Sequence, residues 1–170
     1  MHILEYENYE ETKKHYDTDF SYNTYPCSIP LDFPCVPMHW HRETEIIYVK
    51  SGRGMVNVDG ISYPVVKDSI VFILPGRLHS IAQYESEAFS YENIIFDMQM
   101  LIPKEGDTMS FNFFHRLQNF PEDFPVLIDR VPKAHRAVQI CLDRIDDLRT
   151  TYPAGYYLGI KAVSYTHLTL

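Results

Sequence analysis

Cysteine is scarce in this chain. Cys27, Cys35 and Cys141 form an odd, scattered set with no Cys-x-x-Cys among them. Neither a disulfide framework nor a thiolate zinc site fits that pattern, and a reducing cytoplasm is the expected compartment. Basic residues are also short, with 15 Lys and Arg against 23 Asp and Glu, for a net charge of −8. A surface of that sign repels phosphate, so these residues are not expected to grip nucleic acid themselves. No uninterrupted apolar run approaches the roughly 20 residues that cross a bilayer, and no membrane role is expected. The start Met1-His2-Ile3-Leu4-Glu5 lacks the basic-then-apolar order of a signal peptide. A Gly-rich phosphate loop and a Ser/His/Asp order are missing too, and no Lys or Tyr stands out as an acid or base. What is present is a chain of 170 residues, 45% hydrophobic and 22% charged, enough for one soluble domain with a helical appendage.

Residues 1–37 are polar and Tyr-rich and end in a run punctuated by Pro26, Pro30, Pro34 and Pro37. Prolines this dense oppose helix and interior strand, which predicts an arm of extended and edge segments. A packed lead-in strand is preferred here over an arm that closes on a ligand. Strand signals then follow at short spacing: 44–50, a turn at Ser51-Gly52-Arg53-Gly54, then 55–58. Asp59-Gly60 is a two-residue hairpin turn, because both positions tolerate positive φ. Residues 61–66 return, Lys67-Asp68-Ser69 turns, and strands are expected at 70–74, 80–84 and 89–96. Many short antiparallel strands with Gly turns predict a mainly β sandwich or barrel. After about residue 100 the period becomes helical, with a short helix at 109–117, an amphipathic one at 134–148 and another at 156–163. Cys141 falls on the apolar seam of the second, as buried packing. The tail 164–170 is β-branched and loses the helical pattern, as a non-native or truncated end would.

The chemistry gathers in Pro37-Met38-His39-Trp40-His41-Arg42-Glu43-Thr44-Glu45-Ile46-Ile47. Read as one strand, it points His39, His41 and Glu45 to a single face. Two imidazoles and a carboxylate suit a divalent first-row metal (Zn, Ni, Mn, Fe or Co), and the sequence does not choose among them. His79, in Leu74-Pro75-Gly76-Arg77-Leu78-His79, is the candidate fourth donor from another strand. Ile47 and Val49 share the ligand face and would line the cavity, whereas Trp40 and Arg42 would face outward. Glu43 is not expected to share a site with Glu45. His2, His15, His115, His135 and His167 are read as dispersed.

His39-x-His41, three residues, Glu45, six residues and Gly52 together resemble the first cupin motif in full. Gly76 three residues before His79 resembles part of the second, with Pro75 one place late, no opening glycine and Gln83 in place of the final asparagine. More of the chain, roughly 30–163, is similar to the N-terminal ligand-binding and dimerisation domain of AraC/XylS-type transcription regulators. The resemblance rests on His39-Trp40-His41, Glu45-Ile46-Ile47-Tyr48-Val49, Leu74-Pro75-Gly76-Arg77-Leu78-His79-Ser80 and Asn93-Ile94-Ile95-Phe96-Asp97. It implies a cupin (double-stranded β-helix, or jelly-roll) barrel with C-terminal α-helices. It further implies a small-molecule effector in the barrel, often a sugar, and a homodimer through the helices. DNA would be bound only by a C-terminal helix-turn-helix half that these residues do not include. The implied organisation is an arm plus barrel over 1–100, a connecting segment at 101–131 and a helix pair at 132–163.

Three readings of His39, His41, Glu45 and His79 stand side by side: metal ligands, polar groups that bind effector hydroxyls directly, and satisfied structural side chains. The expected role is sensing, without catalysis. The alternative is a stand-alone metal-dependent cupin enzyme of the dioxygenase or isomerase type, in which open coordination positions polarise substrate or bind oxygen.

Overall fold

A computed structural model of the chain describes residues 6–15, 20–101, 108–119, 124–130, 132–151 and 155–168. It divides into two compact units, Met1–Asp97 and Met98–Leu170. The first is an antiparallel sheet of β1 (Tyr22–Ile29), β2 (Val36–His39), β3 (Thr44–Val58), β4 (Ile61–Val66), β5 (Ile70–Ile73), β6 (His79–Gln83) and β7 (Phe89–Phe96). The path runs β1-β7-β3-β6-β2, with β4 and β5 also paired to β3. The sheet curls into a half-barrel whose path ends at β1 and β2, which carry Pro26 and Pro37, while Pro64 lies on β4 off that path. Edge strands tolerate Pro because its missing N–H costs no ladder bond on the open side.

β3 is the spine. The expected turn at 51–54 does not reverse the chain, and one strand of 15 residues runs through it. Its first half pairs with β7 and β5, and its second half with β4 and β6. A register shift between Val49 and Ser51 marks the bulge that lets one strand serve both halves. Thr44 to Val49 are all buried, as a strand covered on both faces requires. Gly54 makes room for Phe89, since a Cβ there would come within 2.4 Å of that ring.

Other expectations hold closely. Asp59 and Gly60 turn with φ of 49° and 82°, and β4 and β7 occupy their expected residues. The expected single strand through residue 50 is instead split, because the chain bends at Arg42 and Glu43 between β2 and β3.

The second unit holds α1 (Thr108–Asn119), α2 (Pro132–Thr151) and α3 (Tyr156–Leu168), with 3₁₀ turns at Met98–Leu101 and Ile128–Arg130. Cys141, Leu142 and Ile145 of α2 and Ile160 of α3 are buried. Burial pushes the Cys141 thiol up to about 12, so it packs as a small apolar side chain. Gly159 lets the two helices approach, its missing Cβ lying 3.0 Å from Leu148. The helix expected to end at 163 continues to Leu168. No Gly or Pro stands between Lys161 and Leu168 to stop it, and β-branched residues only weaken a helix. Residues 152–154 of the expected break, and 169–170 of the tail, lie outside the described residues.

The two left-handed glycines of the β3–β4 region separate backbone cost from steric cost. Gly60→Ala meets nothing within 4 Å and should lose only the left-handed penalty, about 1–2 kcal/mol. Gly52→Ala adds a Cβ 2.1 Å from the Ala88 carbonyl oxygen, and overpacking costs about 1–3 kcal/mol more. Urea unfolding of both variants should rank them in that order; equal losses would contradict the packing described.

Candidate functional site

Register decides how the donors meet. β2 lies beside β6, and His39 is the direct cross-strand partner of His79. Their rings are 4.2 Å apart. Glu45 enters from β3, and its Oε2 lies 2.9 Å from Nε2 of both His41 and His79. One donor atom from each of His39, His41, Glu45 and His79 falls within 4.8 Å of all the others. The four therefore converge, although the route is not the expected one. His41 sits in the bend after β2, so two strands and a bend do what strand parity alone was expected to do.

Local hydrogen bonds aim each ring. Nδ1 of His39 faces the Pro37 carbonyl at 2.9 Å, Nδ1 of His41 that of Glu43 at 3.2 Å, and Nδ1 of His79 that of Arg77 at 2.8 Å. Each Nδ1 is thus a donor to backbone, which leaves the Nε2 atoms as the inward set. That is the outer-shell arrangement that orients histidine ligands, so the donor chemistry fits a divalent metal. The loop ahead of His79 is itself clasped: Arg77 Nε and the Leu78 amide both donate to the Asp59 carboxylate, at 2.6 and 3.0 Å.

Electrostatics follow from burial. Desolvation pushes the Glu45 carboxyl up, but His79 and His41 outweigh it and hold that group well below the usual carboxylate range. Burial likewise opposes charge on His79, yet Glu45 wins and raises its pKa. For His39 burial prevails, reinforced by His79, and its pKa is lowered.

Several residues near the site were assigned elsewhere by the sequence. Glu43 was expected apart, but its carboxylate lies 3.6 Å from His41 Nδ1. Glu43 and Glu45 are both odd-numbered and would share a face of one strand, and the bend brings Glu43 to the Nδ1 side of His41. His15, read as dispersed, is buried with its ring 5.6 Å from that of His41. Glu11 accompanies it, with Oε2 3.1 Å from His15 Nε2 and 3.5 Å from His39 Nε2. The hydrogen bond from His15 holds the Glu11 carboxyl low despite partial burial. A helix-like i,i+4 spacing of Glu11 and His15 was the one sequence signal available. Trp40, expected to face outward, instead stacks on Tyr6 at 4.8 Å and donates from Nε1 to the Tyr6 carbonyl. Arg42 is exposed, as expected.

Beside the donors lies a cavity of about 290 Å³, lined by His39 and Glu45 together with Tyr25, Cys27, Tyr91 and Asn93 among others. Asn93 presents a buried Oδ1 with no hydrogen-bond partner among the described residues. Burial raises both the Cys27 thiol and the Tyr91 phenol, which keeps each protonated. Ile47 is fully buried and is the cross-strand partner of Asn93, but it does not line this cavity.

A mainly β cupin half-barrel followed by helices, with four convergent donors beside a cavity, is the class of protein defined here. Residues 33–108, which hold all four donors, match the family model described as the AraC-like ligand binding domain. No curated protein matches the chain. Among solved structures, a cupin protein from Bacteroides fragilis is 22% identical with a TM-score of 0.43, covering 53% of this chain and 75% of that one. A Cupin 2 conserved barrel domain protein from Salinispora arenicola is 22% identical with a TM-score of 0.40, over 56% and 71% of the two chains. A DMSP lyase from Ruegeria pomeroyi is 21% identical with a TM-score of 0.40, over 46% and 39%.

The pair Glu45–His79 carries a defined pH signature in the metal-free protein. Its carboxylate part is present above the ordinary value of 4.5 and is lost as pH falls through the lowered folded value. Its imidazole part is complete below 6.5 and is lost as pH rises through the raised folded value. The stability difference between wild type and Glu45→Gln, measured by urea unfolding in chelator, should therefore be largest between pH 4.5 and 6.5. A difference independent of pH would show that the pair is not formed.

Proposed function

We propose that this chain is the effector-sensing domain of an AraC-type transcription regulator, taking a small molecule, with a carbohydrate as the family's usual kind, into the half-barrel. The observation that carries this reading is a set of three imidazoles and a carboxylate, buried except for the half-buried His39, beside a cavity that His39 and Glu45 line, with all four in the stretch that matches the AraC-like ligand binding domain. Effector pockets place a few polar groups in an apolar lining to fix orientation, and Glu45, His39 and Asn93 are such groups here.

A Zn, Ni, Mn, Fe or Co ion held by His39, His41, Glu45 and His79 would supply a Lewis-acid anchor for an effector oxygen. The chain's part is to aim the three Nε2 atoms and to give up protons. Nε2 and Nδ1 of His79 both face acceptors, Glu45 and the Arg77 carbonyl, so its metal-free ring holds a proton on each nitrogen. The Nε2 proton must leave when a cation binds.

Operator contact would lie outside these residues, because a net charge of −8 offers phosphates no basic face. Ile140, Tyr157 and Leu158 are exposed apolar residues on α2 and α3, which supports a homodimer through those helices. No helix among the described residues is long and apolar enough to cross a membrane, and Cys27, Cys35 and Cys141 are free thiols, in keeping with a cytoplasmic regulator. The metal-dependent enzyme is the second reading, favoured by the same four donors.

Metal analysis of the purified protein should give one ion per chain in wild type and none in His41→Ala. Calorimetry in buffers of different ionisation enthalpy should show proton release on binding near neutral pH; binding without proton release would contradict the double protonation of His79. A sugar panel tested by thermal unfolding should contain a ligand that adds about 2.7 kcal/mol at a hundredfold excess over its Kd. In the full regulator that ligand should shift operator affinity by the factor by which operator shifts ligand affinity. Conversion of the ligand to product would move the assignment to the enzyme.

A further inference from the structure

The four convergent donors do not account for every carboxylate beside the inward nitrogens. Nε2 of His41 and His79 each face Glu45, but Nε2 of His39 faces Glu11 at 3.5 Å. Two carboxylates thus bracket three imidazole nitrogens, one entering from β3 and the other from the N-terminal arm. Glu43 does not play this part, because it lies on the Nδ1 side of His41, away from the inward set.

Glu11 is placed by construction. Its amide donates to the Trp40 carbonyl at 2.8 Å, and the Trp40 amide donates to Tyr9 at 2.9 Å, a short parallel bridge that sets the arm in register beside His39. Tyr6 closes the clasp by stacking on Trp40 and donating to the Gly76 carbonyl. His15 then fixes the Glu11 carboxylate from the other side, leaving its own Nδ1 buried and without a hydrogen-bond partner among the described residues. Charge points the same way. Among the described residues, the ion pairs given for Glu11 and Glu45 all run to histidines, while Lys13, which lines the same cavity, lies over the Tyr25 ring. Two carboxylates whose close partners are imidazoles suit one divalent ion.

We propose that Glu11 is a fifth ligand of the metal centre, delivered by the arm, so that binding a divalent ion fastens the arm to the sheet. This rests on metal binding by His39, His41, Glu45 and His79 as proposed above. His15 is a positioning residue that holds the Glu11 carboxylate toward His39.

The test uses Mn²⁺ and Co²⁺ alone as probes on the whole chain, with wild type, Glu11→Gln and the neighbouring control Glu10→Gln. Glu11→Gln should weaken Mn²⁺ by at least about tenfold, the scale on which support around a metal is lost, while Glu10→Gln binds like wild type. Co²⁺ should absorb more strongly per bound ion in Glu11→Gln, as expected for a lower coordination number. Mn²⁺ should slow hydrogen exchange at the residue-11 amide in wild type and not in Glu11→Gln. Wild-type affinity, spectrum and exchange in Glu11→Gln would overturn the fifth ligand while leaving the four-residue site intact. A wild type that binds neither ion overturns both.

Discussion

One carboxylate oxygen organises the interior of the sheet. Oε2 of Glu45 is buried and lies 2.9 Å from two imidazole nitrogens that come from different parts of the chain. A lone carboxylate at that depth would cost several kcal/mol to desolvate, so Glu45 stays ionised only while His41 and His79 stand beside it. The position of His79 in turn depends on its register with His39 across β2 and β6 and on the Asp59 clasp of the preceding loop. Burial, charge and register therefore stand or fall together at this point.

β3 makes that convergence possible. A strand that pairs with four others, and shifts register in its middle, carries Glu45 near one end and turns into the Asp59-Gly60 hairpin at the other. Asp59 then reaches back to hold the loop that presents His79. The bulge and the glycines around it are thus tied to the site through geometry, although none of them touches a donor.

Much of this was legible in the residues themselves. Alternation and turn chemistry marked β4, β7 and the hairpin, since side-chain period and positive φ are local properties. The spacing of His39, His41 and Glu45, with His79 after a Pro-Gly turn, singled out the four donors that do converge. Less was legible where the answer depended on partners distant in sequence. Glu11 and His15 look like ordinary surface residues until Trp40 fastens the arm. Trp40 looked outward by parity, but the bend that follows it ends the strand to which parity applied.

Composition and local pattern by themselves determined a mainly β domain followed by helices, the location of the hairpins and the chemical type of the site, because these depend on side chains a few positions apart. Tertiary structure alone decided that His39 pairs with His79, that β3 passes unbroken through a glycine-rich stretch, and that the N-terminal arm brings a second carboxylate to the donors. Those facts are set by hydrogen-bond register and packing between segments more than 30 residues apart, such as Tyr6 and Trp40 or Glu45 and His79, and no local period encodes them.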